Sequence, residues 1–253
     1  MPNIRFTVSY DGTDFVGWQR QNSGPSVQQS LEEALLALCG QPIAVRAAGR
    51  TDAGVHAFGQ VVTARIDKPL PLRALIFGTN HHLPDSIAVL DAQVVADDFD
   101  ARFSASGKMY RYQLWNGPTY SPLHARTHYH VAARLDLEQM RAAAAVLTGV
   151  HDFAAFRAAD CERKTTRRWL RSLQILTPVS DEPVIHLEVE ATAFLKNMVR
   201  ILVGTLIQVG KGRMTVEHVQ SLLQSGNRTQ AGPTAPAHGL TLRRVDYGPR
   251  TGY

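Results

Sequence analysis

Gly49-Arg50-Thr51-Asp52-Ala53-Gly54-Val55-His56-Ala57 sets one carboxylate among small residues, between two runs that read as strands. Upstream, Ile43, Val45 and Ala47 alternate with other residues at strand period, and downstream Gln60 to Ile66 is an extended, β-branched-rich run. Asp52 is therefore expected on a loop held by strands. Gly49, Gly54 and Gly59 let backbone approach a ligand closely, so a planar substrate would reach the carboxylate without side-chain obstruction. A turn in which Asp52 merely bonds its own backbone fits the same residues.

Working outward, Ile4 to Tyr10 reads as a strand, and Ser26-Val27-Gln28-Gln29 has the Ser-x-x-Gln spacing of a capping box. Leu31, Leu35 and Leu38 give the helix that follows one apolar face, Gly40 supplies its stop and Pro42 prevents its continuation. A second helix is predicted over Arg73 to Asn80 and a strand over Ile87 to Val95, which makes the first half βαββαβ. The second half repeats the style. Strands are predicted at Lys108 to Trp115, Arg168 to Leu176, Val184 to Val189 and Leu240 to Tyr247. Helices are predicted at Leu137 to Leu147 with Asp136 as N-cap, at Phe194 to Val209 and at Val216 to Leu223. Consecutive strands are too closely connected for helical crossovers, so antiparallel pairing should dominate. The expected fold class is α+β: two similar halves with mainly antiparallel sheets flanked by helices, joined around a central cleft. The boundary is placed at 107/108, giving an N-terminal half with the Asp52 loop (1–107) and a basic C-terminal half (108–253).

A chain of 253 residues, 44% hydrophobic, can bury a large core. No apolar run approaches the roughly 18 residues that span a bilayer, and Met1-Pro2-Asn3-Ile4-Arg5 leads into a strand, so a cytoplasmic protein without a membrane partner is expected. Cys39 and Cys161 form neither a disulfide framework nor a Cys-x-x-Cys site. The net charge of +5 is unevenly spread: residues 1–100 carry 7 Lys and Arg against 11 Asp and Glu, residues 101–253 carry 20 against 11. The densest cluster is Arg163, Lys164, Arg167, Arg168 and Arg171, with Trp169 among them. It suits phosphate contact beside a stacking surface, and equally a solvated strand face.

The nine-residue loop string resembles the signature of the TruA-type tRNA pseudouridine synthases. Tyr10-Asp11-Gly12, Gly17-Trp18-Gln19, Lys108-Met109-Tyr110-Arg111-Tyr112, Phe194-Leu195-Lys196-Asn197-Met198-Val199-Arg200 and Pro236-Ala237-His238-Gly239-Leu240 are similar to its other motifs, in the same order along essentially the whole chain. The resemblance implies the two-part α+β fold and isomerisation of uridine to pseudouridine at positions 38, 39 and 40 of the tRNA anticodon stem-loop. It also implies a homodimer that uses no cofactor and no metal, with tRNA as partner.

For breaking the N1 glycosidic bond, turning the uracil and joining C5 to C1′, a positioned carboxylate can act as nucleophile toward the sugar or the base, or stabilise positive charge at C1′, and can later accept a proton. By resemblance Asp52 is that residue. Arg200 sits in a helix that is apolar on nearly every side and needs a partner there; with Gly204 one turn away admitting another segment, it is expected to reach the Asp52 loop. Snorkelling to the surface is the competing account of Arg200. Arg50, two positions before Asp52, is expected to hold RNA phosphate and, by resemblance, to help displace the target nucleotide. A surface salt bridge would use the same side chain. Tyr110 alternates with Tyr112 and Leu114 and reads by pattern as a core aromatic; the resemblance moves it to stacking on the flipped base. His124, His128 and His130 lack the supporting ligands of a metal site, and neither a P-loop nor a Gly-x-Gly-x-x-Gly turn occurs. Two rivals remain: a non-catalytic RNA-binding module on the same scaffold, and a nucleoside hydrolase or glycosidase. The latter class usually needs paired carboxylates or a metal.

Overall fold

The computed structural model describes residues 1–178 and 182–249. The described residues divide into two compact units, Met1–Ser106 with residues 241–249, and Gly107–Leu240.

In the first unit, β1 (Asn3–Tyr10) buries Ile4, Phe6, Val8 and Tyr10 by strict alternation. It pairs antiparallel with β4 (Ile87–Val95) on one edge and with β3 (His56–Arg65) on the other. The far edge of β3 is shared. Its C-terminal part takes the two-residue β2 (Arg46–Ala47), and its start takes β10 (Leu240–Asp246) in parallel, with Thr241 opposite His56. Helices α1 (Val27–Cys39) and α2 (Leu72–His82) pack together, with Leu38 of α1 against Gly78 of α2.

Several local expectations are met, others only in part. Ser26 caps α1 by accepting from the Gln29 amide at 3.3 Å, and Gly40 closes it in the left-handed region at φ 77°. The capping box is half made, because the Gln29 side chain donates to Glu33 instead. The strand expected through Ile43, Val45 and Ala47 shrinks to β2. Ile43 and Val45 are buried, but the Val45 amide donates to Glu32 at 3.3 Å, so a side chain replaces the ladder bond there.

The second unit builds an antiparallel run β5 (Gly107–Trp115), β9 (Val184–Ala191), β8 (Arg167–Leu176) and β7 (Gly149–Asp152), with β6 (Tyr129–His130) parallel to β5. Helices α3 (Leu137–Leu147), α4 (Met198–Gly210) and α5 (Val216–Ser225) accompany it. Asp136 caps α3 by accepting from the Glu138 and Gln139 amides. Helix α4 starts four residues later than its apolar run suggests, since Asn197 takes the left-handed conformation at φ 60°. Almost all of α4 is buried. The fold is thus α+β, mostly antiparallel, with flanking helices, and among the described residues no helix is long and apolar enough to cross a membrane.

Gly204 sets how closely the chain after α5 can cross α4. A β-carbon there would lie 1.7 Å from the Pro233 carbonyl oxygen, and the Gly232 amide donates to Thr205 Oγ1 at 3.0 Å alongside it. Gly204→Ala should therefore cost about 1–3 kcal/mol through overpacking, despite alanine's better helix propensity. Urea denaturation followed by circular dichroism checks this, and an unchanged or raised midpoint would show that the crossing yields freely.

Candidate active-site loop

Three sequence-distant motifs of the first unit meet at the Asp52 loop. The end of β1 supplies Tyr10, whose hydroxyl shares a buried hydrogen bond of 2.8 Å with Thr51 Oγ1. The turn after β1 brings Gly12 so close that a β-carbon on it would stand 2.1 Å from the Val55 carbonyl oxygen. The segment before α1 brings Gly17, at φ 110°, where a β-carbon would stand 2.8 Å from the Thr51 carbonyl oxygen. That same carbonyl accepts from the Trp18 amide at 3.0 Å, and the indole of Trp18 is buried near the Tyr10 ring. From the other side, Gln60 of β3 donates to the Gly49 carbonyl at 2.9 Å. Any side chain at Gly12 or Gly17 would push this loop away.

Asp52 therefore has a fixed backbone. Its carbonyl accepts from the Val55 amide at 3.1 Å across a four-residue turn in which Gly54 has φ 76°. The turn expected from the sequence exists, closed by this main-chain hydrogen bond. Asp52 is partly exposed and Arg50 exposed, while Thr51 between them is buried. Asp52 and Arg50 thus flank a buried, anchored Thr51.

His56 and Asp11 belong to the quoted motifs, yet composition and spacing gave them no role. His56 is buried, with Nδ1 3.1 Å from the Gly12 amide nitrogen and 3.0 Å from Asp11 Oδ1. One ring nitrogen cannot serve both at once. Without a proton it accepts from Gly12; with one it donates to the carboxylate, which already receives the Thr13 amide and hydroxyl. Either way the imidazole clamps the turn after β1 onto the strand that follows the Asp52 loop.

The other motifs converge in the second unit. Tyr110 on β5 is 8% exposed and packs perpendicular to Phe194, with ring centroids 5.1 Å apart. Arg200 on α4 donates from Nε to the Ala235 carbonyl at 2.7 Å and from Nη1 to Asn197 Oδ1 at 3.1 Å. The segment that Gly204 admits is thus the one that orients the guanidinium. Tyr112, fully buried, donates to the Pro236 carbonyl at 2.7 Å, and burial drives its hydroxyl far above the usual tyrosine range. Tyr110 and Arg200 lie in this unit, Asp52 and Arg50 in the first.

The histidines form a packed group rather than a chelating one. His124 stacks on Trp115 at 4.6 Å and meets His128 edge-on at 4.6 Å. Burial, then the charges of His124, His186 and His238, push His128 down to about 4. Among the described residues no group of three or more His, Cys, Asp or Glu is placed to hold a metal.

A family model described as tRNA pseudouridine synthase matches residues 7–104 and 143–248. The chain belongs to that family. A tRNA pseudouridine synthase A of Syntrophotalea carbinolica is 50% identical over 99% of this chain and 98% of its own length. One of Myxococcus xanthus is 51% identical over 98% of this chain and 92% of its own, and one of Pelobacter propionicus 47% identical over 98% and 100%. The residues matched by the family model include the Asp52 loop with Tyr10, Gly12 and Gly17, and Arg200 with the segment that crosses α4, while β5 with Tyr110 and Tyr112 lies between the two matched stretches.

The Tyr10–Thr51 pin can be read through pH. Burial raises the Tyr10 hydroxyl to about 12, with its hydrogen bonds to Thr51 and Gln60 offsetting part of the rise. A raised acid keeps its proton in the fold while the unfolded chain loses it near 10, so this contribution is whole below pH 10 and disappears as pH climbs toward 12. Stability should fall by roughly 1.4 kcal/mol per pH unit from this group across that window. Tyr10→Phe should be less stable near neutrality and lose less on going alkaline. Urea midpoints of both proteins between about pH 8 and 11 test it, and parallel curves would mean that Tyr10 ionises as freely in the fold as outside it.

Proposed function

We propose that this chain converts uridine to pseudouridine at positions 38, 39 and 40 of the tRNA anticodon stem-loop, with Asp52 as the nucleophile. Family membership supports the reaction class. The observation that carries the assignment of the residue is the immobilised backbone of the Asp52 loop, held on one side by Gly12, Gly17 and Trp18 and on the other by Gln60. A nucleophile fixed in this way enters the reaction without first ordering a loop.

The reaction is an isomerisation. The N1–C1′ bond breaks, the uracil turns, a C5–C1′ bond forms, and the proton on C5 leaves while N1 gains one. Asp52 as carboxylate meets the electron-poor partner during bond cleavage and can take the proton afterwards. Arg50 holds RNA phosphate and helps keep the target nucleotide out of the stem, since a stacked base is out of reach. Tyr110 supplies a ring held in place by Phe194 for the uracil to stack on, and Arg200 binds the same substrate. The protein acts on tRNA as a homodimer in the cytoplasm, and the reaction balances without a cofactor.

Asp52→Ala should abolish pseudouridine formation, a loss of at least about 1,000-fold, while tRNA affinity stays within a few-fold of the parent. A tritium-release assay on uracil-C5-labelled tRNA with a filter-binding measurement separates the two. Product formation at the parental rate would remove Asp52 from the chemistry; parallel loss of binding would make it a substrate contact instead.

A further inference from the structure

The basic run around the start of β8 does not behave as one patch. Regular pairing with β7 over Arg167 to Leu170 puts Arg168 and Trp169 on opposite faces of the strand, and Arg171 sits where the pairing with β9 shifts register. Arg171 lies 5.3 Å from the Trp169 ring centroid and reaches Glu190 Oε1 at 3.3 Å, so its charge has a carboxylate. Lys196, just before α4, is likewise paired with Asp160 at 2.5 Å. Arg163, Lys164 and Arg168 differ: among the described residues, none of the three has a carboxylate within ion-pair distance.

Arg168 carries the argument. It is part-buried, its Nη1 donates to the Arg167 carbonyl at 2.6 Å and weakly to Thr165 Oγ1 at 3.4 Å, and its Nε is buried with no acceptor. Burial, then the neighbouring charge of Arg163, disfavours its cationic form. A guanidinium does not give up its proton in a protein, so the repulsion stays in the fold. Exposed Arg163 and Lys164 precede it on a loop, facing water. Two guanidinium groups close enough to repel each other, with Lys164 next in the chain and no carboxylate within ion-pair distance of any of the three, make a site that gains energy when an oxyanion arrives. The planar forks of two arginines match phosphate oxygens in particular.

We propose that Arg163, Lys164 and Arg168 form a clamp for phosphodiester groups of the RNA substrate. This rests on the proposed function for the identity of the polyanion. Its role is to hold the RNA through its backbone, separately from the residues assigned to the reacting nucleotide. The Trp169–Arg171 stack on the opposite face of the strand is no part of it, so phosphate contact and ring stacking, adjacent in sequence, are divided between two surfaces.

Salt dependence of tRNA binding by the full chain reads this directly. For Arg163→Gln/Lys164→Gln, both exposed positions, the plot of log K against log[KCl] should become shallower by about 0.7–0.9 for each phosphate that the variant no longer neutralises, and Kd near physiological salt should rise about 5- to 10-fold with a matching rise in KM. Arg168→Gln should act in the same direction and Arg168→Lys should recover most of the slope, which a merely structural role would not produce. Arg65→Gln removes an exposed cation paired with Asp97 in the first unit and should leave the slope as it was. The clamp is refuted if the double variant and Arg168→Gln keep the parental slope, or if Arg65→Gln lowers it equally. Displacement of tRNA by inorganic phosphate at matched ionic strength that is stronger from the parent than from the variants would support the clamp. Pseudouridine yield from the same preparations is scored separately: no product from the parent protein defeats the proposed reaction while the slopes still decide the clamp.

Discussion

A hydroxyl pair shut away from water, Tyr10 with Thr51, holds the residue next to Asp52, the proposed nucleophile, and the geometry around it follows from that anchor. A loop that carries a charge into partial exposure gains nothing from burial of its own tip, so it must be positioned by its neighbours. Here backbone does the positioning. Carbonyl groups of Thr51 and Val55 occupy the space that side chains at positions 17 and 12 would need, and the Trp18 amide bonds to the first of them. Gln60, itself fully buried, ties the loop's beginning to β3. The outcome is an aspartate whose backbone is held from both sides.

The second unit uses the same device with different residues. A glycine in a buried helix admits a passing strand of backbone, and carbonyls of that passing segment receive Arg200 and Tyr112. Polar groups that would be costly in so apolar a setting are thereby satisfied by main-chain acceptors whose positions cannot drift. Some charges in this unit are compensated by carboxylates, as with Arg111 on Glu188 and Arg171 on Glu190. Beside β8, Arg168 has neither a carboxylate nor an acceptor for its buried Nε, and a polyanionic ligand at Arg163, Lys164 and Arg168 would supply the missing charge.

Elements whose signals are local were readable from the chain. Helix α3 begins and ends where Asp136 and the alanine-rich run place it, and β1 alternates as its residues dictate. Where tertiary contacts decide, the pattern misled. Ile43 and Val45 look like strand residues because they are apolar and alternate, but burial beneath α1 satisfies them without a partner strand, and Glu32 takes the amide. The start of α4 depends on Asn197 adopting a left-handed conformation, which hydrophobicity does not encode. The parallel pairing of β10 with β3 joins segments about two hundred residues apart and had no local trace. At the site, Asp52 was conspicuous because a lone acid among glycines is chemically odd. Tyr10, Thr51 and His56 were not, since their roles come from contacts that only folding creates. The cation run was visible as charge, but its division between two strand faces required the carboxylate positions.

The most direct test of the account is to incubate the purified chain with unmodified tRNA, with no cofactor added, and to map pseudouridine by chemical labelling read out through reverse transcription. The account predicts label-dependent stops at positions 38, 39 and 40 where those are uridines. Stops confined to other positions would contradict the assigned target, and free uracil released in place of any stop would contradict the reaction itself.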